Sequence, residues 1–424
     1  MSFITIHPHS LKGTVNVPPS KSFSHRAIIC AALSKGISSV GPISMSDDIR
    51  ATIDALCSIG AKIEYKNKFL FIDGSETFSL SPTTINCRES GSTLRFLIPV
   101  VCSCGINTQF VGEGRLPKRP IGIYLTCLPE FGVSCESNGG LPLSVSGSLK
   151  SGTYRIFGNV SSQFISGLMF ALPLLDGDSK IELLSELESK PYVDMTIEVL
   201  TQFGIEVTAT QNGWLIKGGQ SYTPTNYVVE GDWSQAAFFM AAGAIGSEIK
   251  IKGLSPRSIQ GDAKFVDILR DFGANIYWEN DELIVSKGNL NAINVDASQI
   301  PDLVPIIAVV AACANGITRI SGAKRLRVKE SDRLRAIYNG LKTMNVDIFE
   351  TDDGLIINGG DDILGANING ANDHRIIMAL SIAATTANGD VIISGHKSVN
   401  KSYPSFFEDY QLLGGSANVV HMGK

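Results

Sequence analysis

The chain repeats itself six times, and this constrains its fold more than any other property. The segments "IDALCSIGAKIEY", "LTCLPEFGVSCES", "IEVLTQFGIEVTA", "VDILRDFGANIYW", "YNGLKTMNVDIFE" and "FEDYQLLGGSANV" align on Gly60, Gly132, Gly204, Gly273, Asn345 and Gly414, at intervals of 72, 72, 69, 72 and 69 residues. Each reads as an amphipathic helix ending near Gly, followed by an alternating strand. After the first five, a second short strand ends at Gly74, Gly147, Gly218, Gly288 and Gly359. Turn residues such as Asn138-Gly139, Asn212-Gly213 and Asp353-Gly354 join the strands as hairpins. One match of this kind is ordinary. Six in register define an architecture.

A second helix series interleaves with the first, starting near Ser22, Gly91, Ser162, Ser234, Asp302 and Asp373. Bodies such as "AIICAAL", "AAFFMAAGAI" and "LVPIIAVVAACA" are apolar on nearly every face, which predicts buried helices. Trp233, Phe238 and Phe239 read as core on the same ground. The expected α/β packing has helices inside and sheets outside. Six such units in 424 residues exceed one core, so three plus three is the economical split. The polar segment "GQSYTPTNY" is the expected hinge.

The unusual residues fall at helix starts: "SKSFSHR", "ESGSTLR", "VSSQF", "GDWSQ", "IPDL" and "NDHR" in the buried series, "LPKRP" and "RVKESDR" in the other. Ser22 or Ser24 can cap the first helix. A helix N-terminus offers free N–H groups and partial positive charge. The sequence nonetheless adds Lys21, Arg26, Arg95, Arg115, Lys118, Arg119, Lys329, Arg333, Arg375 and Lys401 there. If equivalent starts converge, phosphates or carboxylates are the expected relief.

Other classes fit less well. A net charge of −5 argues against general affinity for nucleic acid or an acidic membrane. The longest apolar run, Leu303 to Ala312, contains Pro305 and is too short to span a bilayer. "MSFITIHPHS" carries no charged-then-apolar leader, so a cytoplasmic protein is expected. The eight cysteines mostly lie in apolar stretches and read as buried, reduced thiols; the single CxC, Cys102 and Cys104, has no partners for a metal site. Neither GxGxxG nor GxxxxGK[ST] occurs, which disfavours nucleotide hydrolysis.

The motifs "PPSKSFSHRA", "SGSTLRFL", "RLPKRPIG", "VSSQFISGL", "ESKPYVDMT", "IPDLVP", "LRVKESDRL", "DHRI" and "KSYPSFFED" run in order from residue 18 to about residue 409. Together they resemble the signature set of the 3-phosphoshikimate 1-carboxyvinyltransferase (EPSP synthase) family, with "SKSxSxR" and "RVKESDR" the most specific. The resemblance implies two inside-out α/β domains, each of three βαβαββ-type units with buried helices, and an active site in the interdomain cleft. Domain I would comprise residues 1–19 and 229–424, domain II residues 20–228.

The implied reaction moves the enolpyruvyl group of phosphoenolpyruvate to the 5-hydroxyl of shikimate 3-phosphate and releases phosphate, by addition and elimination through a tetrahedral intermediate. By resemblance, Asp302 is the proton acceptor and Glu330 the donor, with Lys401 and Lys21 as proton carriers. Lys21, Ser22, Arg26, Ser161, Ser162, Gln163, Ser189, Asp302 and Lys329 would hold shikimate 3-phosphate. Lys21, Gly91, Arg119, Gln163, Arg333, Arg375 and Lys401 would hold phosphoenolpyruvate. Arginine suits such anions because its planar fork grips them bidentately. The resemblance implies no metal, no organic cofactor, no nucleic-acid or membrane partner, and a monomer. Three positions depart from the family pattern: Arg325 and Glu89 stand where Asn is frequent, and Ser92 where Thr is frequent. A sister family acting on UDP-N-acetylglucosamine carries a Cys in the loop matching "GEGRLPKRP", which has none here. An RNA-binding repeat scaffold is opposed by the negative charge and by the few aromatics beside the basic loops.

Overall fold

The six landmark residues end their helices for one stereochemical reason. Gly60, Gly132, Gly204, Gly273 and Gly414 all have positive φ, and so does Asn345, at 71°. Glycine adopts that region without cost and Asn tolerates it, so the chain can leave the helix and turn into a strand. The computed structural model describes residues 2–421 and, among them, contains six four-stranded sheets of one pattern. In one, Asn294–Asp296 runs parallel to Gly316–Ser321, which pairs antiparallel with Leu355–Gly359, itself antiparallel to Asp347–Glu350. The row Thr318, Ile357, Ile348 faces inward and is buried, while Arg319, Ile356 and Phe349 occupy the other face. This is the period-two alternation of a sheet wet on one side.

The chain divides into two units, Met1–Pro18 with Glu230–Lys424, and Pro19–Val229. The first recruits the N-terminus. Ser2–His7 lies between Val391–Ser394 and Ser416–His421, and Gly13–Asn16 runs parallel to Ile249–Lys252. Its core is built around the helices Trp233–Ile245, Val304–Ala312 and His374–Ala383, with Trp233, Phe238 and Phe239 all buried. The second unit has its own core around Lys21–Leu33, Gly91–Ser103 and Ser162–Ala171.

Pro99 interrupts the helix Gly91–Ser103 and cannot donate to the Arg95 carbonyl. The Tyr124 hydroxyl donates to that carbonyl instead, at 2.8 Å. Gly167 allows the approach: a Cβ there would lie 2.2 Å from the Arg95 oxygen and 2.3 Å from the Tyr124 hydroxyl. The segment read as a hinge, 219–227, lies wholly in the second unit. Its Tyr222 is buried and donates to the Phe170 carbonyl at 2.7 Å, and the chain changes unit only after Val229.

Among the described residues no helix is long and apolar enough to cross a membrane, and no group of three or more His, Cys, Asp or Glu side chains could hold a metal ion. Cys30, Cys87, Cys102 and Cys127 are buried free thiols and Cys57, Cys135 and Cys313 are partly buried, whereas Cys104, against expectation, is exposed at the C-cap of its helix.

Candidate active site

In the second unit the first core helix begins two to four residues earlier than its serines suggested. Pro18 and Pro19 precede Ser20, and Ser20 is the cap, its hydroxyl accepting from Phe23 N at 3.4 Å. Ser22 and Ser24 therefore fall inside the first turn, and Ser24 donates back to the Ser20 carbonyl at 2.7 Å. Lys21 Nζ donates to Asp48 Oδ2 at 2.6 Å, the acid standing in the first turn of Asp47–Ser58. Arg26 is buried and uses all three of its nitrogens. Nε donates to Thr196 Oγ1, Nη1 to the Ser22 carbonyl and Nη2 to the Tyr192 carbonyl, each at 2.8 Å. Burial brings its pKa down to about 10, so it stays charged at neutral pH. These bonds tie the helix start to Lys190–Gln202, directly after Ser189, which is buried with φ 54°.

Two more helix starts meet beside Gly91. The Arg119 guanidinium lies against the Gly91 backbone, so that a Cβ there would come within 2.8 Å of its Cζ. Ser161 caps Ser162–Ala171 by accepting from Gln163 N at 3.3 Å. The Gln163 amide is held at both ends: Nε2 donates to Ser92 Oγ at 2.9 Å, and Oε1 accepts from Arg95 Nη1 at 2.6 Å. Arg95 is anchored in turn by donating to the Pro120 carbonyl at 3.0 Å.

In the first unit Asp302 sits in the short 3-10 turn Pro301–Leu303 and makes no capping bond. Its carboxylate faces cations instead. Oδ1 accepts from Arg333 Nη1 at 2.8 Å and lies 3.7 Å from Lys329 Nζ, and Oδ2 pairs with Arg375 Nη2 at 3.2 Å. Arg333 is enclosed, with Nε on Asp373 Oδ2 at 2.8 Å and Nη2 on Glu330 Oε2 at 2.7 Å. Asp373 also caps His374–Ala383, and Lys401 Nζ donates to the neighbouring Asn372 carbonyl at 2.8 Å. Burial would raise the pKa of Asp302, but Arg375, Lys329 and Arg333 outweigh it and hold the carboxyl well below its usual range. Asp373 is shifted down by the same contest, with Arg333 the chief cation. Asp262 goes the other way: burial lifts it to about 6 although Arg375 opposes this, and Ser234 donates to its Oδ2.

Within each unit the predicted residues gather at converging helix starts. Lys21, Ser22, Arg26 and Ser189 share one hydrogen-bonded region of the second unit, and Gly91, Arg119, Ser161, Ser162 and Gln163 another. Asp302, Lys329, Glu330, Arg333, Arg375 and Lys401 crowd one region of the first. One expectation needs correcting: the cations are not left uncompensated. The chain brings Asp48 to Lys21, and Asp302, Glu330 and Asp373 to Arg333. Arg115 and Lys118 remain exposed. The basic loop is ordered, with Arg327 bridging Asp332 and Glu350 and Arg325 donating to the Ser298 carbonyl at 2.5 Å. Asp48, Asp262 and Asp373 were missed as partners of these cations, and Arg95, counted among the cations at helix starts, was assigned to neither substrate. Arg95 and Asp373 lie inside quoted motifs, but no spacing rule reveals the partners that these residues meet.

The family model for EPSP synthase (3-phosphoshikimate 1-carboxyvinyltransferase) matches residues 6–410. The 3-phosphoshikimate 1-carboxyvinyltransferase of Clostridium kluyveri is 44% identical over 426 residues, covering 100% of both chains. That of Clostridium perfringens is 47% identical over 421 residues, covering 98% of this chain and 99% of its relative. The solved EPSP synthase of Acinetobacter baumannii superposes with a TM-score of 0.81 at 29% identity, over 99% of this chain and 100% of that one. The enolpyruvyl transferase NikO of Streptomyces tendae, at 17% identity and a TM-score of 0.82 over 99% of each chain, shares the fold. With the motifs, the sixfold architecture and these full-length likenesses in agreement, the chain belongs to the EPSP synthase (3-phosphoshikimate 1-carboxyvinyltransferase) family.

Proposed function

We propose that this chain transfers the enolpyruvyl group of phosphoenolpyruvate to the 5-hydroxyl of shikimate 3-phosphate, with phosphate as the second product. The observation that carries the assignment of roles is the partly buried carboxylate of Asp302 among Arg333, Arg375 and Lys329. In the second unit, Lys21, Ser22, Arg26, Ser161, Ser162, Gln163 and Ser189 are assigned to shikimate 3-phosphate, and Lys21, Gly91, Arg119 and Gln163 to phosphoenolpyruvate. In the first unit, Lys329 and Asp302 are assigned to the former, and Arg333, Arg375 and Lys401 to the latter.

Asp302 accepts the 5-hydroxyl proton as that oxygen attacks C2 of phosphoenolpyruvate, and Glu330 delivers a proton to the methylene carbon. The tetrahedral adduct then loses phosphate and a methyl proton, with Lys21 and Lys401 carrying protons to and from the reacting atoms. The electrostatics make Asp302 a conditional base. Three cations hold its proton affinity low. Anionic substrates that engage Arg375, Arg333 and Lys329 neutralise that field and raise the affinity when the hydroxyl is in place. Arg333 already faces three carboxylates, through Nη1 to Asp302, Nε and Nη2 to Asp373 and Nη2 to Glu330, so phosphoenolpyruvate must compete with them for its charge.

The decisive experiment measures phosphate release from phosphoenolpyruvate with either shikimate 3-phosphate or UDP-N-acetylglucosamine. Release with the former alone is expected, and release with the sugar nucleotide alone refutes the assignment.

A further inference from the structure

One turn into Lys21–Leu33 stands a fully buried histidine that no step above employs. His25 Nδ1 lies 2.8 Å from Thr52 Oγ1 on the helix Asp47–Ser58. Thr52 Oγ1 lies 2.6 Å from Thr93 Oγ1, and Thr93 Oγ1 donates to Ser90 Oγ at 2.7 Å. Ser90 is the cap of Gly91–Ser103. Counting protons gives this chain a direction, because a hydroxyl has one to donate. Thr93 donates its proton to Ser90, so Thr52 must donate to Thr93. Thr52 can then only accept from the ring, which makes His25 the Nδ1–H tautomer with its lone pair on Nε2. That Nε2 is buried without a hydrogen-bond partner. Burial first, and the nearby charges of Lys21 and Arg26 second, keep the ring neutral.

We propose that His25 is a positioning residue for enolpyruvyl transfer: as the Nδ1–H donor it heads a one-way chain through Thr52 and Thr93 to Ser90 that fixes the helix start at Gly91 relative to the helix start at Lys21. The inference rests on the functional reading above, which assigns both starts to substrate. Its geometry suits the task, since His25 follows Lys21 by four residues, about one turn of the same helix, and Gly91 directly follows Ser90. Apolar packing would fill the same volume without fixing the spacing, whereas hydrogen bonds of 2.6–2.8 Å do fix it.

The test uses the full chain. Wild-type phosphate release from phosphoenolpyruvate and shikimate 3-phosphate comes first, and its absence refutes the functional reading itself. With turnover established, Thr52→Val, which keeps shape and deletes the hydroxyl, should raise KM for phosphoenolpyruvate about tenfold with kcat within about threefold, and Thr52→Ser should restore KM. The positioning role is overturned if Val leaves KM within about twofold, or if Ser loses as much as Val, which makes the methyl group the active feature. Should Thr52→Val not fold, His25→Asn, which keeps an N–H near the Nδ1 position, should retain the wild-type KM while His25→Leu raises it; equal values overturn the proposal. Histidine ¹⁵N NMR of the wild type reads the tautomer without reference to activity. Protonation on Nδ1 is expected, and protonation on Nε2 reverses the chain and defeats the argument.

Discussion

Replacing Asp302 by Asn separates two roles that its surroundings superimpose. The change is isosteric, but an amide offers one acceptor oxygen where the carboxylate offers two. In the structure Oδ1 serves Arg333 and Oδ2 serves Arg375, so the variant must turn an N–H toward one of the two arginines. Removing one partner of a buried pair costs up to about 3–5 kcal/mol. The retained oxygen halves the damage, which leaves about 2–3 kcal/mol and a fall in Tm of about 4–12 °C for a unit of this size. Turnover should fall far more than this local loosening explains, by about 10²–10⁴-fold, if the lost group is the proton acceptor. The assay is phosphate release under saturating phosphoenolpyruvate and shikimate 3-phosphate at a temperature well below the variant Tm, with calorimetric titration of shikimate 3-phosphate as the binding control. A folded variant whose Tm drops but whose kcat stays within about tenfold makes Asp302 a structural counter-ion and removes it as the base.

Lys21→Met should raise KM for both substrates, because Lys21 is assigned to both; steady-state titration of each ligand decides it, and an effect on one alone contradicts the shared contact. Gly91→Ala places a methyl within 2.8 Å of the Arg119 guanidinium, so Arg119 must shift. KM for phosphoenolpyruvate should rise at least about tenfold while that for shikimate 3-phosphate moves little, and equal changes in both refute the assignment of Gly91 and Arg119. Asp262 offers a pH test with a definite sign. Its folded pKa of about 6 stands above the ordinary carboxyl value of 3.8. Ionised Asp262 therefore costs stability above about pH 6, and that cost fades as pH falls toward the unfolded value. Asp262→Asn should raise Tm by several degrees at about pH 8, the gain bounded by about 3 kcal/mol, and do little at about pH 4. The same shift at both pH values refutes the burial argument.

What the sequence disclosed was whatever local stereochemistry repeats. Six left-handed helix ends spaced about 70 residues apart locate the strands, and all-apolar helix bodies locate the cores, because both signals are carried by neighbours in the chain. Caps were less legible: Ser22 and Ser24 are better placed by pattern than Ser20, yet the two prolines before Ser20 decide where the helix can begin. The polar, Pro-containing segment 219–227 misled for a related reason, since composition does not register that Tyr222 reaches the Phe170 carbonyl 52 residues away. The site divides along the same line. Its cations stood out as anomalies at helix starts, but their partners did not, because Lys21 and Asp48 are 27 residues apart and Arg333 meets Asp302 and Asp373 across 31 and 40. Those hidden partners change the physics of the site. Cations that already hold carboxylates bind an anionic substrate by exchange, so affinity is the difference between two sets of charge-assisted bonds rather than the strength of one. On the roles proposed above, the same competition would release Asp302 from the field that suppresses its proton affinity, and binding and activation of the base would be one electrostatic event.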